Sequence, residues 1–163
     1  PWLVLSEGMS IITGLSVGTT TFIISLIVLF LWIFLKQKPG IGTILNVFII
    51  AIVIDVTSFY FDPPTSVYHQ YLLTIVAVLL VGFGSGVYLV ANLGPGPRDG
   101  LMTGLTRITN YPISFVRASL EITVVFVGWY LGGTVGLGTL IFAFGIGPAV
   151  SLGLSIVKSH MSK

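Results

Sequence analysis

The chain has 163 residues, no cysteine, a formal charge of +2, 55% hydrophobic residues and only 7% charged residues. Soluble domains carry about 25% charged residues, and so few charges cannot cover the outside of a chain this size. A soluble globular protein is excluded, and lipid is the remaining solvent, so an all-α integral membrane protein is expected. At about 20 apolar residues per span, the length holds roughly five or six spans and leaves no room for a soluble catalytic domain. Without cysteine there are no disulfides, thiolate nucleophiles or Cys-ligated metals. The small positive charge gives no reason to expect a nucleic-acid partner.

The chain opens at Pro1-Trp2, without a Met or a leader. This start suggests a chain lacking its natural N-terminus. Leu3–Thr13 is a short, moderately polar segment. Such a segment covers about 15 Å, half the bilayer core, and suits an interfacial or re-entrant helix. Ser16–Leu35 is the first long apolar stretch and ends at Lys36-Gln-Lys-Pro39. Ile41–Tyr60 is the second, and the polar connection Asp62–Gln70 with Pro63-Pro64 follows it. Tyr71–Leu93 is the third, followed by Gly94-Pro-Gly-Pro-Arg-Asp-Gly100 and a second short segment, Gly100–Thr109. The last stretch, Ile113–Val157, is long enough for two spans broken by Gly132-Gly-Thr-Val-Gly136.

Shifted by 96 residues, the chain matches itself. Pro1, Leu5, Gly8 and Ile12-Thr13 fall on Pro97, Leu101, Gly104 and Ile108-Thr109, and Gly40-x-Gly-Thr43 falls on Gly136-x-Gly-Thr139. Residues 1–57 share 13 identities with 97–153, where composition alone gives roughly five. The expected organisation is a first repeat over 1–58, a connecting loop over 59–70 and a second repeat over 71–163. Each repeat has about three spans and one short helix, the opening span of the first lying before Pro1. An odd number of spans per repeat requires the second to be inverted. That path puts Lys36, Lys38, Arg98, Arg107, Arg117, Lys158 and Lys163 at or near one face, with Asp62 and His69 on the other. The positive-inside rule names the basic face cytoplasmic.

These motifs resemble the bacterial YczE/YyaS/YitT-like integral membrane family. The resemblance rests on Gly94–Gly100, Gly104-Leu105, Arg117, Glu121, Gly128-Trp-Tyr-Leu-Gly-Gly133, Val135-Gly-Leu-Gly-Thr139 and Gly147-Pro148. The first half adds Pro1-Trp2, Lys36–Thr43, Asn46 and Asp55. The family often has an acidic residue where this chain has Leu3, so no ligand role carries to that position. The resemblance implies a multi-pass protein of the bacterial plasma membrane and no particular activity.

Candidate site residues follow from chemistry. Gly94, Gly96, Pro97 and Gly100 form a polar turn into a short helix, with Arg98 and Asp99 beside it. Backbone N–H groups there suit an anion or a substrate carboxylate, as in broken transporter helices; a solvated interfacial turn is the plainer alternative. Trp2 and Glu7 belong to the matching element of the first half. Glu121 lies about 13 Å into its span, one turn after Arg117, so the two suit an i,i+4 pair. Intramembrane charges are costly and often functional, which makes Glu121 a candidate for proton or ion coupling or, more plainly, half of a structural pair. Asp55 is expected to snorkel to the interface, and Asn46 to bond across helices. The spacings Gly14/Gly18, Gly82/Gly86, Gly100/Gly104, Gly128/Gly132 and Gly132/Gly136 suit close helix packing or, less directly, self-association.

His69 and His160 fall on opposite faces and share no metal. No Ser/His/Asp set or acidic cluster points to an enzyme, a metal or a cofactor. The leading expectation is a small transporter or permease-like protein, carrying a small solute or ion between inverted repeats. The alternative is an accessory subunit of a larger membrane complex or a homo-oligomer, contacting lipid or pigment.

Overall fold

The computed structural model describes residues 1–161, without the side chains of Lys158, His160 and Met161, so the Lys158, His160 and Lys163 side chains lie outside the described residues. The described residues form seven helices: α1 (Trp2–Thr13), α2 (Val17–Phe34), α3 (Ile41–Tyr60), α4 (Val67–Ala91), α5 (Pro97–Thr109), α6 (Ile113–Tyr130) and α7 (Leu137–Met161). Five of them, α2, α3, α4, α6 and α7, are long and apolar enough to cross a membrane, and α1 and α5 are short. The expected spans are all present. One boundary differs: α4 starts at Val67, an extra turn before Tyr71, because helix formation resumes as soon as the chain clears Pro63-Pro64.

Caps and turns explain the ends. Ser16 accepts from the Thr19 N–H at the start of α2. Gly14 and Asn110, related by the 96-residue shift, both close a short helix in the left-handed region, with φ 71° and 58°. Lys36 and Gly132 are also equivalent and also left-handed, at φ 52° and 98°. The shift carries α2 onto α6 at both ends, and the start of α3 onto the start of α7. Positions 96 apart thus match in backbone conformation as well as in residue type.

The chain forms two compact units. Unit 1 holds Pro1–Phe61 and Gly94–Thr134, and unit 2 holds Asp62–Leu93 and the chain from Val135 onward. In unit 1, α2 is central and packs on α1, α3 and α5. Its core is Ile24, Val28, Trp32 and Leu35 of α2 with Leu101 of α5. The packing is reciprocal: α1 lies on α6, and α5 lies on α2. Glycine makes these crossings close. A Cβ at Gly8 would lie 2.5 Å from the Gly128 carbonyl oxygen, and one at Gly100 would enter the Trp32 ring.

Unit 2 is the pair α4–α7. It closes through small residues, with Gly82 against Ala149 and Gly86 against Gly153. The outward faces of both units are apolar, as at Phe59 and Phe144, 82% and 80% exposed. Large exposed apolar side chains over whole helix faces need lipid around them.

Candidate functional site

The site lies in unit 1, where the turn before α5 enters the packing. Gly94 takes φ 110°, and a Cβ there would lie 2.7 Å from Thr43 Oγ1. That hydroxyl donates to the Pro95 carbonyl at 2.7 Å and accepts from the Gly40 N–H at 3.1 Å. Trp32 donates its indole N–H to the Pro97 carbonyl at 2.9 Å. Pro97 opens α5, where its missing N–H costs nothing. The turn is thus held at two points and brought alongside α3. A Cβ at Gly96 would lie 3.6 Å from Asn46 Oδ1 and 3.4 Å from Asp99 Oδ2. Asn46 stands about 8 Å beyond the start of α3, so the turn reaches inward before α5 leads back. On the return, Gly104 packs on Leu35, and Arg107 donates to the Leu35 carbonyl at the end of α2. The chain thus runs inward along α3 and returns along the end of α2.

At the apex, the Arg98 guanidinium lies over the Trp2 ring of α1, 5.0 Å from its centroid. Burial lowers the Arg98 pKa to about 10, with Asp99 acting in the opposite sense. At neutral pH the group stays protonated.

The other candidates are placed elsewhere in unit 1. Arg117 Nε lies 3.2 Å from Glu121 Oε1, the i,i+4 pair expected from spacing. Glu7 accepts from both the Thr134 N–H and the Thr134 hydroxyl, each at 2.9 Å, and ties α1 to the segment after α6. Asp55 has partners at the start of α2. It accepts from the Ser16 hydroxyl at 2.6 Å and the Gly18 N–H at 2.7 Å. The first turn of α2 has N–H groups without intrahelical partners and a positive dipole end, which suit a carboxylate. Leu3 is 55% exposed.

Several residues escaped the sequence reading. Ser6, Thr20, Thr21, Ser25 and Thr43 are buried. Thr20 lies 2.8 Å from the Ser6 carbonyl and Thr21 2.9 Å from the Ser6 hydroxyl, forming a polar seam between α1 and α2. The signal was the run Thr19-Thr20-Thr21 inside an apolar span. Thr106 Oγ1 is buried without a hydrogen-bond partner. Among the described residues, no group of three or more potential ligands suits a metal ion.

Five helices long and apolar enough to cross a membrane, joined to two short helices, define a multi-pass helical membrane protein. Residues 1–154 match the profile described as "Family of unknown function (DUF6198)". The chain is similar to an uncharacterized protein of Haemophilus influenzae, 43% identical over 157 residues, 96% of this chain and 72% of that one. It is 38% identical over 144 residues to the uncharacterized membrane protein YczE of Bacillus subtilis, covering 88% and 67% of the two chains. A further relative is YyaS of Bacillus subtilis, 26% identical over 166 residues, 98% and 82% of the two. No solved structure matches the chain. The chain belongs to the DUF6198 family of YczE-like membrane proteins.

Proposed function

We propose that this protein is a small transporter or permease-like protein, built from two inverted repeats, that moves a small solute or ion across a bacterial inner membrane. The reciprocal packing of α1 on α6 and α5 on α2 is the observation that carries this reading. An exchange of partners between equivalent elements is what a two-fold relation between repeats produces. Direction supports inversion. α1 meets α2 near its start, at Thr20, and meets α6 near its end, at Gly128. Antiparallel equivalents are the hallmark of inverted-topology transporters, whose sites are formed by broken helices at the repeat interface. Lys36 and Arg107, one from each repeat, share one end of α2, which favours that end as the cytoplasmic side.

In this reading Glu121 is the coupling candidate and Arg117 its partner. Reconstitution into proteoliposomes, with uptake of a solute panel under imposed proton and sodium gradients, tests the proposal. Saturable uptake of at least one solute is expected, with a pH dependence lost in Glu121→Gln. Absence of uptake for every solute, in protein shown to be folded, overturns it.

A further inference from the structure

Shifted by 96 residues, α7 falls on α3 from its first residue, since Leu137 corresponds to Ile41. The helix that packs on α7 is α4. The two run parallel, because Thr74 meets Gly138, Val78 meets Gly145, Gly82 meets Ala149 and Gly86 meets Gly153. Past the first turn, the contact stripe on α7 is Gly145, Ala149 and Gly153. Its counterpart on α3 is Ile49, Val53 and Thr57.

Within unit 1, α3 turns its opposite face to α2. Thr43, Val47 and Ala51 are buried, and Ala51 and Asp55 meet Gly18 of α2. At 100° per residue, positions 49 and 53 point about 200° away from 47 and 51. Ile49 and Val53 are 54% and 53% exposed, and Thr57 is exposed as well. The stripe that α4 covers on α7 is thus open on α3.

The same shift puts the counterpart of α4 ahead of Pro1. The relatives have the length for such a helix. The matched segments make up 72% of the Haemophilus influenzae protein and 67% of YczE. The remainder of each exceeds the roughly 20 residues that a span needs.

We propose that Ile49, Val53 and Thr57 form the docking face for one further apolar helix of the same chain, encoded ahead of Pro1 and lying parallel to α3 as α4 lies to α7. In lipid such an association rests on close packing. Ile49 and Val53 stand where α7 has Gly145 and Ala149. The new pair is therefore set wider than α4 and α7, at the ordinary helix separation of about 8–10 Å. The inference rests on the repeat and not on transport.

The test uses the protein expressed from its whole gene and irradiated in the bacterial membrane. One position carries the photoreactive residue p-benzoyl-phenylalanine, and mass spectrometry maps the covalent product. Val53→p-benzoyl-phenylalanine is expected to join to a residue ahead of Pro1. Ile27→p-benzoyl-phenylalanine, at a 53% exposed position of α2, is expected to take lipid. If the Val53 variant does not accumulate, Ile49→p-benzoyl-phenylalanine decides. A gene with no apolar span ahead of Pro1 overturns the inference. So does a Val53 product that is lipid alone, a dimer of two copies, another protein, or a segment after Pro1. A lipid product together with intact solute uptake would sink the docking face and spare the transport reading. The expected product without uptake of any solute would do the reverse.

Discussion

In the α4–α7 pair the helices meet through Gly82, Gly86, Ala149 and Gly153. In unit 1 the helices meet through hydroxyls, carboxylates and tryptophan contacts as well as glycine: Thr20 and Thr21 on Ser6, Asp55 on the start of α2, Glu7 on Thr134, Trp32 on Pro97. In lipid no hydrophobic force pushes helices together, so association comes from close packing or from polar bonds. Small residues supply the first in unit 2, and unit 1 combines both. The polar bonds also do what packing cannot: they fix irregular backbone, such as the Gly94–Pro97 turn, by occupying its carbonyl groups.

Overpacking should separate the two regions most sharply. Gly86→Leu drives a side chain into the Gly153 backbone, where a Cβ alone would lie 2.5 Å away. A loss of about 3 kcal/mol or more is expected, read as a lowered melting temperature in detergent. Gly100→Ala places one methyl in the Trp32 ring and should cost about 2–3 kcal/mol. It should also weaken any function of the α5 apex, which Gly86→Leu touches only through folding. A stable Gly100→Ala protein would break the account of how α5 is seated.

The polar clamps come next. Thr43→Val keeps the volume but removes the bonds to Pro95 and Gly40, for a loss of about 1–2 kcal/mol. Faster hydrogen exchange should be confined to residues 94–97. Asp55→Asn removes the charge that faces the first turn of α2, at about 1 kcal/mol. The smallest effect on stability belongs to Glu121→Gln. Its pair is a half-exposed i,i+4 contact, worth about 0.5 kcal/mol or less. A large drop in melting temperature for that variant would make Glu121 structural and remove it as a coupling group.

Much of the fold could be read in advance because its signals are local. The Pro and Gly interruptions marked the helix ends, and the period of the helix paired Arg117 with Glu121. The partner of Asp55 was not legible, since Gly18 is 37 residues away. Glu7 and Thr134 are 127 residues apart, and Trp32 and Pro97 are 65 apart. No periodicity reports such pairs.

Composition alone determined the solvent of this protein, because twelve charged residues among 163 cannot face water on all sides. Length and apolar runs determined the five spans and the two short helices, since a span is set by bilayer thickness. Tertiary structure decided which polar groups meet. It crossed α1 with α6 and α5 with α2, turned Asp55 onto a helix start, and set Arg98 on Trp2. The reason is that an unpaired polar group is costly in an apolar medium, and the partner nearest in space is chosen by packing rather than by distance along the chain.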